Sequence, residues 1–214
     1  MGTIINLDET KGSFRGPRRL SEGFHDRIHR IKSNKRSQLS NPSIAMSIAG
    51  SDSGAGAGIQ ADLKTFAAFG VYGTSALTAI TAQNTVGVMA VYDLPTDIIE
   101  SQIDAIVSDI GVDAVKTGML SNSRIIELVA AKAMEYKFHN LVVDPVMVAK
   151  GGDRLLEESA IDSMRSVLIP IATIVTPNIP EAAALLNKSI ETKEDARAAA
   201  VAIVEMGASC VVVK

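Results

Sequence analysis

Residues 44–64 read Ile44-Ala45-Met46-Ser47-Ile48-Ala49-Gly50-Ser51-Asp52-Ser53-Gly54-Ala55-Gly56-Ala57-Gly58-Ile59-Gln60-Ala61-Asp62-Leu63-Lys64. The apolar run Ile44 to Ala49 ends in turn residues and is too brief for a helix, so it predicts a buried strand. Ile59, Leu63 and Phe66 recur at i, i+4 and i+7 and predict a helix with one apolar face. Between the two, Gly50, Gly54, Gly56 and Gly58 let the backbone take positive φ and approach a ligand closely. Such a turn is expected to leave helix N–H groups pointing into a concavity at the carboxyl end of a strand, where open α/β sheets bind ligands.

The glycine spacing matches neither familiar phosphate-binding pattern. A dinucleotide fingerprint anchored on Gly54 and Gly56 needs Gly or Ala at 59, where Ile59 stands, and Val71 to Gln83 holds no acidic ribose ligand. A Walker A loop starting at Gly50 fails because position 55 is Ala and no Gly-Lys-Ser/Thr follows. A tight structural connection is the plainer reading of the glycines alone.

Downstream, short apolar runs alternate with helical patterns. Val71 to Thr85 is an apolar run ending in Gln83-Asn84. Pro95 opens a helix to Ser108, with Ile98, Ile99, Ile103 and Ile106 expected on its buried side. Strands are predicted at Ala114–Thr117, Leu141–Val143, Ile174–Thr176 and Cys210–Val213, and helices at Ser121–Tyr136, Ser159–Leu168, Ala182–Leu186 and Lys193–Met206, the last stopped by Gly207. This order predicts an α/β fold with a mostly parallel sheet and helices on both faces.

The chain of 214 residues is 47% hydrophobic and 21% charged, enough for one such domain. Its net charge of −3 hides a division, since residues 1–42 carry nine Lys/Arg against four Asp/Glu. That segment lacks periodicity and predicts a disordered basic tail, followed by one domain over 43–214. Asp8, Glu9, Glu22 and Asp26 interrupt its charge, which argues against a nucleic-acid arm or a transit peptide; a plastid address would follow only from the latter. His25 and His29 have no further metal-ligand partners nearby. No apolar run approaches the roughly 18 residues of a membrane span, and a cytoplasmic protein is the expectation. Cys210 stands alone in an apolar run, predicting a packed, unreactive thiol.

The polar residues fall at the predicted strand ends: Ser51 and Asp52, Gln83 and Asn84, Thr117 to Met119, Asp144, then Asn178 and Glu181. In a parallel sheet these ends would lie along one edge, the expected active-site crevice. Each has a plainer reading as well. Asp144 before Pro145 could anchor a turn, Asn178 and Glu181 could cap a helix, Asp62 beside Lys64 could be a solvated carboxylate, and Met119 and Val146 could be core.

Residues 49–66, with Thr81-Ala-Gln-Asn-Thr85, Lys116-Thr-Gly-Met119, Asp144-Pro-Val-Met147 and Thr176-Pro-Asn-Ile-Pro-Glu-Ala182, resemble the hydroxymethylpyrimidine/phosphomethylpyrimidine kinases of thiamine biosynthesis, in the ribokinase-like superfamily. The resemblance covers roughly residues 43–214. It implies ATP- and Mg²⁺-dependent phosphorylation of an aminopyrimidine and then of its monophosphate, by a homodimer. By the same resemblance Gly50, Asp62, Gln83, Met119 and Val146 hold the aminopyrimidine, while Asn178 and Glu181 place Mg²⁺ through its waters. Asp144 lies near the transferred phosphate and Lys214 closes on the phosphates, whereas Lys116 receives no role.

A pyridoxal or pyridoxine kinase is the neighbouring reading, since that ring is similar in size and carries a hydroxymethyl group. The family also has a Gly-Thr-Gly-Cys type segment beyond the strand that ends at Lys214, supplying an anion hole and the catalytic base. The sequence stops before it, so the expectation is a C-terminally truncated domain: either the gene product continues, or the chain is poorly active and serves as a non-catalytic pyrimidine-binding remnant.

Overall fold

The computed structural model describes residues 42–147 and 158–214. The basic tail read over residues 1–42, with its two histidines, lies outside the described residues apart from Pro42. In chain order the elements are β1 (Ile44–Ala49), α1 (Gly58–Ala68), β2 (Tyr72–Leu77), β3 (Ala79–Gln83), β4 (Val88–Asp93), α2 (Thr96–Asp109), β5 (Ala114–Thr117) and α3 (Ser123–Glu135). They continue with β6 (Leu141–Val143), α4 (Glu158–Ser163), β7 (Ile174–Val175), α5 (Ile179–Leu186), α6 (Lys193–Glu205) and β8 (Cys210–Val211).

Among the described residues six strands form one sheet in the order β2-β1-β5-β6-β7-β8, and each pairing there is parallel. Successive strand residues face opposite sides of a sheet, yet Ala45 to Ala49 are all buried, so β1 is covered on both faces. Met46 and Ile48 are fully buried, with Ile99, Ile103, Val115, Ile126, Leu141 and Val143 in the same core. Each such side chain contributes about 1.5–3 kcal/mol of burial.

The run Val71 to Thr85 corrects a sequence expectation. It is not one strand of the parallel sheet but two strands of different sheets, because pairing with β1 ends at Leu77, opposite Ala49. Thr78 is the hinge: its N–H donates to Ala49 O, its hydroxyl donates to Met119 O, and its carbonyl receives Leu94 N–H. The Gln102 side chain caps the exit, accepting from Leu77 N and donating to Leu77 O. Beyond it β3 and β4 make an antiparallel hairpin, closed by Asn84 Oδ1 accepting from Val86 N and Gly87 N. Gln83 therefore belongs to this hairpin rather than to the carboxyl edge of the main sheet.

The helices differ from expectation mainly at their ends. Helix α2 buries Ile99 and Ile103 as expected, but Ile98 is 47% exposed because it lies a third of a turn away from them. The segment read as helix over Ser159–Leu168 is α4 followed by one wide π turn, Met164–Leu168. From that turn Arg165 donates to Leu185 O at 2.6 Å and Ala184 O at 2.7 Å, satisfying carbonyls at the end of α5. Helix α5 begins at Ile179 rather than Ala182, since Asn178 caps it. Gly207 ends α6 region turns with φ +120, as its position predicts. Cys210 is exposed rather than packed, because it lies on the outermost strand of the described sheet. No helix among the described residues is long and apolar enough to cross a membrane.

Candidate active site

The glycine turn between β1 and α1 is a closed structure. Asp52, only 4% exposed, folds its carboxylate back onto it, Oδ1 accepting from Gly54 N and Oδ2 from Gly56 N and Ala57 N at 2.8–2.9 Å. Three amides of the turn ahead of the helix are thus occupied by the protein's own anion, and in the helix's first turn Ile59 N donates to Gly50 O. Gly58 is the position where glycine is required: its φ is +58, and a Cβ there would collide with the Gly50 carbonyl. Ala55 holds a left-handed conformation too, with φ 58, while its carbonyl accepts from Lys64 Nζ at 2.8 Å.

The turn is sewn to the hairpin. Ser51 N donates to Ala79 O, the Thr81 hydroxyl donates to Ser51 O, and Ser53 Oγ both donates to Gln83 O and accepts from Gln83 N. The β3–β4 register slips between Ala82 and Gln83, and a bulge of this kind re-aims a side chain. Gln83 reaches the pocket through that irregularity.

A cavity of about 290 Å³ opens between the turn, the hairpin and the main sheet, and Gly50, Asp62, Gln83, Met119 and Val146 all line it. Asp144 lines the same cavity, as do Asp52, Lys116 and Gly118. Gly50 permits this packing, since a Cβ there would stand 2.5 Å from Met119 Cε. The five residues expected to hold a ring are therefore brought together, although they come from two sheets and a helix.

Two carboxylates of the cavity are held in the same manner. Asp62 Oδ2 accepts from Ser47 Oγ at 2.6 Å and from Lys116 Nζ at 2.9 Å. Asp144 Oδ1 accepts from Thr176 Oγ1 at 3.1 Å and from Lys214 Nζ at 2.9 Å. In each pair one oxygen is tied by a hydroxyl and an ammonium, and the other receives no hydrogen bond from a described residue. Asp62 is thus not the solvated carboxylate of the plainer reading, and nearby Lys64 donates to the Ala55 carbonyl.

Asn178 and Glu181 do not line that cavity. They form a reciprocal cap on α5, Asn178 Oδ1 accepting from Glu181 N and Glu181 Oε2 from Asn178 N, each at 2.8 Å. The plainer reading of this pair is thus realised, but it leaves a buried acid: Glu181 is 4% exposed. Desolvation raises its pKa above the ordinary value, with the Asp144 charge adding to the rise, while the Asn178 amide and Lys214 oppose it. Asn178 caps the helix entered from β7 and Glu181 lies in its first turn, and the carbonyl of Pro177, next to Asn178, accepts from Lys214 N. After β6, β7 and β8, Asp144, Lys214 and Glu181 thus stand close enough to feel one another's charge, and Thr176 hydrogen-bonds the first of them.

Lys116, Ser47, Thr176 and Asp52 had no assigned chemistry in the sequence. Ser47 and Lys116 are direct partners in the β1–β5 register, and that pairing is the signal that would have found them.

The family profile described as Phosphomethylpyrimidine kinase matches residues 52–214. The hydroxymethylpyrimidine/phosphomethylpyrimidine kinase of Bacillus subtilis is 51% identical over 170 residues, which is 79% of this chain and 63% of the relative. The chain therefore spans less than two thirds of that relative's length. A solved phosphomethylpyrimidine kinase from Clostridium difficile superposes with a TM-score of 0.76 at 48% identity, over 80% of this chain and 74% of the other. An ADP complex of Bacillus subtilis pyridoxal kinase superposes with a TM-score of 0.74 at 44% identity, over 80% and 66%.

Proposed function

The chain belongs to the phosphomethylpyrimidine kinase family, and from that membership we propose that the protein phosphorylates 4-amino-5-hydroxymethyl-2-methylpyrimidine with ATP, and then its monophosphate. The observation that carries this reading is the convergence of Gly50, Asp62, Gln83, Met119 and Val146 on one cavity with Asp144. Met119 and Val146 offer polarizable and apolar surface to a flat ring. Asp62 and the Gln83 amide offer an acceptor and a mixed donor-acceptor to its nitrogens.

Asp144 is the carboxylate nearest the transferring group in this reading. Its tied oxygen fixes its direction, and the other is free to receive the substrate hydroxyl. Lys214 supplies positive charge where phosphate oxygens gather, and Asn178 with Glu181 stands beside it. The acidic and amide oxygens there suit Mg²⁺, which is a hard ion that keeps several waters and binds largely through nucleotide phosphates. Among the described residues no cluster of three or more Asp, Glu, His or Cys side chains could hold a metal by itself. Bound there, Mg²⁺ would neutralise charge on the phosphates. Asn178 and Glu181 would hold its waters.

A homodimer is part of the proposal. On the hairpin Ile80 and Tyr92 are directly paired and 50% and 65% exposed, an apolar surface suited to a second copy. Sedimentation of wild type and Tyr92→Glu tests it, a monomer for both being the adverse result.

The similarity to a pyridoxal kinase supports a second reading, in which the ring is pyridoxal. ADP release measured side by side with the aminopyrimidine and with pyridoxal separates the two. The first reading expects kcat/KM to favour the aminopyrimidine; a preference for pyridoxal overturns it.

A further inference from the structure

The side chain of Lys116 projects from β5 beside Ser47 of β1 and meets Asp62 of α1 inside the cavity. Gly118 makes room for it: a Cβ at that position would lie 3.0 Å from Lys116 Nζ. Neither charge is in bulk water, the side chains being 23% and 19% exposed. Ser47 is fully buried and donates to the same oxygen. Lys116 is the one cation among the described residues lining the cavity, which it shares with Asp52, Asp62 and Asp144.

An unpaired carboxylate in a cleft turns about its last bond and offers either oxygen. Here Oδ2 already accepts two charge-assisted or short hydrogen bonds, so rotation would break both. Oδ1 is left as a single acceptor in a fixed direction. Resting on the proposed aminopyrimidine reading, we infer that Lys116 is a positioning residue that sets ring specificity: by locking Asp62 Oδ2 it presents Oδ1 to one N–H donor of the ring's exocyclic amine. The ammonium also offsets the Asp62 charge, so a neutral ring enters without leaving a bare anion beneath it. A ring lacking that donor leaves Oδ1 buried and unpaired, the arrangement by which polar pockets reject close analogues.

The test compares kcat/KM for 4-amino-5-hydroxymethyl-2-methylpyrimidine with that for the analogue bearing hydrogen in place of the amine, in the full-length protein. Wild type is expected to prefer the amine by about 10- to 100-fold, the worth of one charge-assisted hydrogen bond. In Lys116→Met the preference falls to within about threefold, KM for the amine rising while kcat changes little. In an Asp62→Asn background the same substitution has no further effect on the ratio, because Lys116 acts through Asp62. Should Lys116→Met fail to melt cooperatively, Lys116→Leu, which also removes the donor, carries the same expectation.

Wild-type turnover with an unchanged amine preference in these variants overturns the inference and leaves the proposed function standing. Equal loss in the wild-type and Asp62→Asn backgrounds also overturns it, in favour of a merely structural or directly substrate-binding lysine. No turnover of either pyrimidine by wild type overturns both.

Discussion

The Lys214 ammonium and the Thr176 hydroxyl both donate to Asp144 Oδ1, at 2.9 and 3.1 Å. This leaves Asp144, a residue of the cavity lining, oriented before any ligand arrives. Preorganised charge of this kind costs no rearrangement at the moment of reaction.

Asp144→Asn keeps the size of the side chain and an oxygen for the two donors, but removes the charge. Its kcat is expected to fall by about 10²- to 10³-fold, with the melting temperature little changed. A variant with near wild-type kcat would remove Asp144 from the reaction.

Glu181 gives a prediction with a sign in pH. Its folded pKa lies above the ordinary value of 4.5, chiefly through desolvation, so the folded protein holds this proton more tightly than the unfolded chain. Stability from that group is present below the ordinary carboxylate range and declines as pH rises through the raised value. Glu181→Gln, which keeps an oxygen for the cap, is expected to melt no lower than wild type at pH 7, and its advantage should vanish as pH falls toward 4 to 5. Activity should drop about 10- to 100-fold, the usual cost of losing a group that orients metal-bound water. Melting curves of both proteins across that pH range decide the first part; a lower melting temperature at pH 7 would contradict it.

Gly58 and Gly70 both hold positive φ, at +58 and +70, but in different surroundings. A Cβ at Gly58 meets backbone of Gly50 and Asp52, whereas one at Gly70 meets nothing within 4 Å. Gly70→Ala should therefore cost about 1 kcal/mol, the left-handed penalty alone, and Gly58→Ala about 2 kcal/mol or more with loss of substrate affinity. Urea midpoints measure the difference, and equal costs would mean the turn yields easily.

Lys132 of α3 is caged by Glu100 and Asp104 of α2 and by Glu135, at 2.8, 2.9 and 3.0 Å. The Glu100 and Asp104 hydrogen bonds raise its pKa, and its own ammonium lowers that of Asp104. The Tyr136 hydroxyl, which donates to Asp104, is raised in turn. The lysine and tyrosine contributions are present below about pH 10 and lost above it, and the Asp104 contribution is present above about pH 4 and lost below. Lys132→Met leaves three acids facing one another, so its melting temperature should fall at low ionic strength and recover in part with added salt. A salt-independent deficit would assign the loss to packing instead.

Much of the fold was legible because β1 and β6 are short apolar runs closed by turn residues, and α6 is patterned and stops two residues before Gly207. The hairpin was not. Its strands join β2 in one continuous apolar stretch, and the break at Thr78 comes from hydrogen bonds to Ala49, Met119 and Leu94, none of them near in sequence. Gln83 was singled out, yet its route to the cavity through a bulge on a separate sheet had no local signal. Lys116 was unreadable for a related reason: a single lysine on a strand has no spacing to interpret until Ser47 is known to lie beside it. Asn178 and Glu181 show the converse, since a cap and a ligand set can demand the same residues at the same spacing.

The carboxylate that Asp52 lays across the glycine turn has a consequence for direction. A phosphate approaching those amides finds them occupied and meets a negative charge instead. The cleft is thereby polarised: Asp52 turns anionic groups away from the glycine turn, and Lys214, held by Asp144, is where they would gather. On the proposed function, a substrate already carrying one phosphate would enter tail outward, in the same pose as its unphosphorylated precursor. On that reading one carboxylate would give successive transfers a common orientation without a second binding mode.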